Sequence, residues 1–263
     1  MIRVQLKWLA MAATLAAASP AVAQQPAATA TPPGDRWTIE VAPYLWIASM
    51  DGNATVGGVK SDVDVPFSDL LKDLSGGLMM AVDVDKGRFG IGLNGLFARV
   101  SSDADVGSTE IDVTSDSGQL AVLPFYRLIQ WQYGTSSSGK PLRLVVAPEA
   151  GFRLTYMRTE LEIRRGPTVD NSENWVDPLI GSRIGLSLTD RFALIGEGNL
   201  GGFGVGTDFT WNAQAYVGYQ FSVFGRPTTL LVGYRALYQD YHHRDFEWDV
   251  TMHGPVIGTA TRF

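Results

Sequence analysis

The sequence has 263 residues, 45% of them apolar, 18% charged and 11% aromatic, with 29 Gly, 13 Pro and no Cys. That composition excludes a disordered chain, a collagen and a disulfide-stapled scaffold. The net charge of −6 argues against nucleic acid as a partner, because phosphate binding needs a basic surface.

The first element is a targeting segment. Residues 1–23 carry Arg3 and Lys7, then an apolar run from Trp8 to Ala18, then the small-residue ending Ala21-Val22-Ala23, which is the pattern of a cleaved export signal. About eleven apolar residues are too few to cross a bilayer that needs about 20, so the run is not a spanning anchor. Cleavage leaves a chain starting near Gln24, with 19 basic against 27 acidic residues and the size of one large domain. Residues 24–35, rich in Ala, Thr, Gln and Pro, cannot bury a core and read as a flexible leader. Folded structure is expected over residues 36–263. No stretch there has 18 uninterrupted apolar residues, so no spanning helix is predicted. An exported chain of this size without Cys suits a closed sheet, which needs no disulfide.

From Arg36 onward the apolar residues recur with period two, the rhythm of strands. The predicted strands are 37–49, 77–85, 88–100, 110–130, 141–164, 174–188, 191–204, 208–223, 227–241 and 246–263. In the clearest one, Phe209, Trp211, Ala213, Ala215, Val217, Tyr219 and Phe221 share a face. Thr210, Asn212, Gln214 and Gln220 lie on the other. The segment 142–156 repeats the split, with Leu142, Leu144, Val146, Phe152, Leu154 and Tyr156 against Arg143, Glu149, Arg153 and Thr155. Residues 51–65 also alternate, and 66–74 reads as a short helix with Ser68 as N-cap and Leu70, Leu71 and Leu74 on one face. That piece is expected at the outer mouth, folded in as a plug, with two further barrel strands as the alternative.

A soluble barrel would alternate similarly, so aromatic placement decides between the classes. Phe209 and Trp211 open one apolar stripe, Tyr219 and Phe221 close it, Trp37 opens the first strand, and Phe89 and Phe97 bracket another. Aromatic girdles about ten residues apart suit strands that cross a membrane at a tilt. Short turns at Asp85-Lys86-Gly87, Leu188-Thr189-Asp190 and Phe224-Gly225-Arg226 alternate with longer polar connections at 101–107, 166–173 and 242–245. This is the pattern of a barrel with short periplasmic turns and long outer loops, in which the apolar side of each strand is expected to meet lipid and the charged side to look into the cylinder. The expected fold is therefore all-β: a transmembrane antiparallel up-and-down β-barrel of about ten strands, with eight to twelve allowed, plus one short helix. The connection 134–140, with Ser136, Ser137 and Ser138, is long for a periplasmic turn.

Phe263 resembles the terminal aromatic by which Gram-negative outer-membrane barrels are recognised by their assembly machinery. Ala42-Pro43-Tyr44-Leu45-Trp46, Phe67-Ser68-Asp69-Leu70-Leu71, Lys86-Gly87-Arg88-Phe89-Gly90, Trp175-Val176-Asp177-Pro178 with Gly181 and Arg183, and His253-Gly254-Pro255 running to Arg262-Phe263 resemble a family of proteobacterial outer-membrane β-barrel proteins. The resemblance implies fold, outer-membrane location and contact with lipid, and supplies no reaction. A monomer with a structural or small-solute role follows as the expectation.

The polar faces carry Glu40, Asp83, Glu149, Asp177 and Glu197 against Arg127, Arg143, Arg153, Arg183 and Arg235. In the narrow interior of a barrel of about ten strands, such a balanced set is expected to interlock as ion pairs. The alternative is a solute path lined by these groups. Glu149 and Arg153 are expected to bond across strands rather than to each other. Asp83 with Asp85, and Asp240 with His242, superficially look like the pairs of an outer-membrane protease. They belong to opposite ends of the strands, far beyond the hydrogen-bond reach that acid-base chemistry needs. A lipase or deacylase would need a Ser beside a His with a third orienting group, and His253 has no Ser in its strand. Metal binding at His242 and His243 lacks a nominated third ligand. Gly201-Gly202-Phe203-Gly204 and Gly57-Gly58 are read as sheet and turn glycines rather than a nucleotide fingerprint. No catalytic, metal or cofactor residue is assigned. Binding through the outer loops would use Asp103, Asp105, Asp170 and Glu173.

Overall fold

The computed structural model describes residues 36–56, 59–106, 109–163 and 168–263; the predicted export signal and leader lie outside the described residues. The strands are β1 (Trp37–Trp46), β2 (Ser49–Val56), β3 (Val59–Val65), β4 (Leu74–Lys86), β5 (Phe89–Val106), β6 (Thr109–Tyr126), β7 (Ile129–Thr135), β8 (Pro141–Ile163), β9 (Thr168–Ser187), β10 (Phe192–Gly202), β11 (Phe209–Val223), β12 (Arg226–His243) and β13 (Phe246–Arg262); one helix, α1 (Phe67–Lys72), precedes β4. Ten strands close a barrel in the order β1-β4-β5-β6-β8-β9-β10-β11-β12-β13, with β13 returning to β1. Closure is antiparallel on both sides of β1, with Glu40 opposite Arg262 on β13 and opposite Asp83 on β4. A closed wall leaves no free edge along its paired length.

The three remaining strands extend this wall. β2 continues β1 along β13, pairing Ser49–Thr55 with the far half of that strand, and β3 pairs with β2. The bend between β1 and β2 has a local cause. Pro255 has no N–H to offer the ladder, so only Ile47 N donating to Pro255 O, at 2.8 Å, holds the junction. β2 and β3 therefore add to the wall, and the expectation that residues 50–76 fill the mouth as a plug is corrected. The helix starts after Pro66, whose extended backbone is the N-cap, rather than at Ser68, and Leu74 already belongs to β4. β7 likewise continues β6 along β8, from Ile129↔Val146 to Thr135↔Pro141. The long connection at 134–140 is the tip of a projecting hairpin, closed by Gly139 N donating to Ser136 O at 3.0 Å.

Side chains alternate between inside and outside along every wall strand, but the chemistry of the two faces exchanges part-way along. Near the short turns the outward residues are apolar and exposed: Ile91 and Leu93 on β5, Ile180 and Ile184 on β9, Leu194 on β10, Val217 on β11, Val232 on β12 and Ile257 on β13. Inward positions at the same level include Glu149, Arg153, Arg235 and Asn212, all buried. Beyond this belt the faces swap. On β13, Glu247, Asp249 and Thr251 face out while Trp248, Val250 and Met252 are buried inside. Trp46, Met50, Ala54, Val63, Val65, Met157, Trp175 and Leu237 join them in one core cluster. The expectation that the apolar side faces outward on every strand thus holds only for the short-turn part. Where water lies outside the wall, the hydrophobic effect drives apolar side chains inward, as in any soluble sheet.

Aromatic contacts mark both edges of the apolar belt. Phe89 packs on Tyr126 and Phe192 on Tyr219 at the short-turn edge, with ring centroids 4.7 and 5.2 Å apart; Phe209 and Trp211 both meet Tyr238 at the other, at 6.4 and 6.5 Å. Eight to ten residues separate the two edges along a strand, which at about 3.4 Å per residue and a tilt of about 40° gives roughly 21–26 Å of height.

Candidate functional site

Inside the belt lies a polar chamber of about 310 Å³, lined among others by Glu40, Asp83, Arg153, Arg183, Glu197, Asn199, Asn212, Arg235 and Arg262. Period-two alternation aims all of these side chains inward, and ten strands bring opposite walls close enough for them to meet.

Two crossbars span the chamber. The first centres on Arg183 of β9. Its Nη1 donates to Asp83 Oδ1 on β4 at 2.8 Å, its Nε donates to Glu149 Oε2 on β8 at 2.6 Å, and Glu197 Oε2 on β10 lies 3.4 Å from Nε. One guanidinium thus gathers three carboxylates. Its route is open because Gly92 has no side chain: a Cβ there would stand 2.0 Å from Arg183 Nη2. The Phe125 ring lies 4.8 Å from the Arg183 guanidinium and 5.3 Å from that of Arg127, a cation–π arrangement at the short-turn end of the chamber.

The second crossbar runs from β11 to β5. Arg235 Nε donates to Asn212 Oδ1 at 2.9 Å and its Nη1 to the Tyr44 hydroxyl at 3.3 Å; that hydroxyl donates in turn to Asn94 Oδ1 at 2.9 Å. The face of Trp46 covers Arg235 at 4.5 Å and starts the apolar layer above. Within that layer one polar bridge remains, Gln119 Nε2 to Gln239 Oε1 at 2.9 Å and Gln239 Nε2 to Thr155 Oγ1 at 3.3 Å.

Of the residues named from sequence, Glu40, Asp83, Arg153, Arg183, Glu197 and Arg235 line the chamber and Glu149 borders it. Glu149 and Arg153 do bond elsewhere, Glu149 to Arg183 and Arg153 to Thr210 and Asn199. Arg127 pairs with Asp85 at 3.0 Å beside the Gly87 turn. Arg143 stands opposite Gln132 on the projecting β7–β8 hairpin and does not line the chamber. Asp177 is fully buried but serves a loop: its Oδ1 accepts from Thr207 N at 2.7 Å and Thr207 Oγ1 at 2.8 Å. Asn199 shares the polar face of its strand with Glu197, as the alternation predicts. Sequence reasoning missed Tyr44, Asn94 and Arg262. Tyr44 sits in phase with Glu40, and that phase was the available signal; the inward positions of β5 and β13 hold no other charged residue to mark Asn94 or Arg262.

The other weighed constellations separate. Asp83 and Asp85 lie in the short-turn half, while Asp240 and His242 lie beside the β12–β13 turn at the other end. His242 Nδ1 is 3.2 Å from Asp240 Oδ1 and 3.3 Å from Asp208 Oδ2, an exposed group whose third member comes from before β11. His253, outward on β13, meets the Tyr234 hydroxyl at 2.7 Å through Nδ1 and Asp51 Oδ2 at 2.8 Å through Nε2. The side chains of Asp103, Asp105 and Asp170 lie outside the described residues.

No protein-family model matches the sequence, and no curated protein matches it. Among solved structures the chain is similar to Ail, the attachment invasion locus protein of Yersinia pestis, at 11% identity, covering 86% of this chain and 98% of that one with a TM-score of 0.36. It is similar to Neisserial surface protein A at 13% identity, 86% and 97% coverage and a TM-score of 0.32. For a Pseudomonas aeruginosa FadL homologue the values are 9%, 86%, 90% and 0.27.

Proposed function

We propose that this chain is an integral β-barrel of the Gram-negative outer membrane, closed along its lumen, with a role in envelope structure; limited passage of small solutes is the alternative. The observation that carries this reading is the exchange of faces along the strands. An apolar surface toward the outside with Arg and Glu buried inside is the arrangement expected where lipid surrounds the wall, and the reverse arrangement is the one expected in water. The belt height of roughly 21–26 Å matches the apolar band of about 25 Å in transmembrane barrels. The short turns then face the periplasm, and the hairpins that carry the apolar core stand outside the cell.

Two features support closure. The crossbars occupy the chamber, and the layer of Trp46, Trp248, Val250, Met252 and Val256 lies between it and the outer rim. Flotation of the chain with lipid vesicles and planar-bilayer recording test the reading together. The expected result is a protein that floats with vesicles, needs detergent in their absence, and gives no discrete current steps. A freely water-soluble chain would overturn the membrane reading, and regular current steps would overturn the closed lumen.

A further inference from the structure

Arg153 and Arg235 are the two most buried arginines facing the chamber, 2% and 5% exposed. Every acceptor bonded to them is neutral. Arg153 donates from Nη1 to Thr210 Oγ1 at 3.0 Å and from Nη2 to Asn199 Oδ1 at 3.3 Å. Arg235 donates to Asn212 and Tyr44, as described above. Among the described residues no carboxylate lies within ion-pair distance of either. The nearby acids bond elsewhere: Asp83, Glu149 and Glu197 to Arg183, Glu40 to Arg262 at 3.1 Å, and Asp177, opposite Arg153 in register, to Thr207 through Oδ1, its Oδ2 making no hydrogen bond among the described residues.

The anchors hold the two guanidiniums side by side. Thr210 and Asn212 are two residues apart on one face of β11, about 7 Å along the strand, and Asn199 is the direct cross-strand partner of Asn212. A guanidinium carries five N–H donors, of which each of these arginines uses two on protein acceptors. Among the described residues Arg153 Nε and Arg235 Nη2 make no protein hydrogen bond, and neither is among the buried atoms that lack a partner, so these two donors reach the chamber that both residues line.

Two adjacent buried cations with no carboxylate in direct contact are left with donors that an anion can join. We propose that this part of the chamber is an oxyanion site, in which Arg153 and Arg235 together hold one carboxylate or phosphate group of a small solute. Charge-assisted, forked hydrogen bonds suit that geometry. A chamber of about 310 Å³ has room for the rest of a small organic acid as well as the oxyanion itself. Its lining continues through Gln220, Thr229 and Arg262 toward the short-turn rim, the access route that this proposal uses. The site rests on the barrel reading for its access route only, since the two arginines and their neutral anchors are features of the interior itself.

Titration calorimetry on the full barrel, folded in a detergent without phosphate or carboxylate groups and in low-chloride buffer, tests this with inorganic phosphate and with succinate as separate probes. The expected result is saturable binding of at least one probe at one site per barrel, weakened at least 10-fold in Arg235→Gln. The control Arg99→Gln, on the outer surface, leaves it unchanged. If Arg235→Gln does not fold, as judged by a heat-modifiable gel shift, Tyr44→Phe replaces it, with a smaller but measurable loss. Phosphate binding alone identifies a phosphate-bearing solute, and succinate binding alone a carboxylate. Absence of saturable binding for both probes, or binding that survives Arg235→Gln in a folded barrel, overturns the site. Vesicle flotation of the same preparation keeps this outcome distinct from failure of the membrane reading.

Discussion

Arg183 on β9 and Asp83 on β4 are joined at 2.8 Å across the barrel interior, although 100 residues separate them in sequence. Because Glu149 and Glu197 lean on the same guanidinium, its removal leaves three carboxylates facing one another. Arg183→Met is expected to destabilise the barrel by about 3 kcal/mol or more, the scale for breaking a buried ion pair from one side. Guanidinium unfolding in lipid vesicles measures it, and adding Glu197→Gln to the variant should recover part of the loss. Unchanged stability in Arg183→Met would refute the crossbar as a stabilising element.

The apolar layer above the chamber makes a second prediction. Trp46 and Trp248 are both almost fully buried there. Replacing both by Ala removes the largest side chains of the layer, and each truncation is expected to destabilise by about 3–5 kcal/mol. In a planar bilayer the double variant should show current steps that the parent lacks. A variant that folds and still carries no current would assign closure to the polar crossbars instead.

Gly254 faces the bend between β1 and β2. A Cβ at this position would lie 1.9 Å from Ile47 O, and backbone cannot yield as a flexible side chain can. Gly254→Ala is expected to push β13 from the junction and to lower stability by roughly 1–3 kcal/mol, the range for overpacking. The midpoint of heat-induced gel mobility change reports it. Gly76, where an added Cβ meets nothing within 4 Å, is the control position and should accept Ala without such a loss.

A pH effect is expected beyond the apolar belt, where Arg99 and Asp116 pair across β5 and β6 at 2.6 and 2.7 Å. The Arg99 hydrogen bond holds the Asp116 carboxyl below its ordinary range, opposed by partial burial. Since the folded value is the lower one, the contribution is present above the unfolded value of about 3.9 and is lost as pH falls through the folded value. Arg99→Gln should raise the Asp116 midpoint toward the ordinary carboxylate range in an NMR titration and make the outer β5–β6 hairpin loosen at higher pH than in the parent. Its effect on stability at neutral pH is expected to be small, because Arg99 is exposed and solvent screens the pair.

The strand alternation was legible in the sequence because side-chain direction is a local property: residues i and i+2 share a face whatever the rest of the chain does. From that alone came the ten barrel strands, the outward Phe209-to-Phe221 stripe and the inward Glu149 and Arg153. The swap of faces was written there too, as Trp248, Val250 and Met252 interleaved with Glu247, Asp249 and Thr251. It went unread because an alternating strand carries no mark of whether lipid or water lies outside it.

Partnership across the interior was decided only by tertiary structure. Tyr44 meets Arg235 across 191 residues, and Arg153 finds Thr210 and Asn199 rather than Asp177, its neighbour in register. Such contacts follow from strand order, stagger and tilt, which fix the height and azimuth of each side chain in the closed cylinder. These are collective quantities of the whole sheet, and no window of sequence contains them.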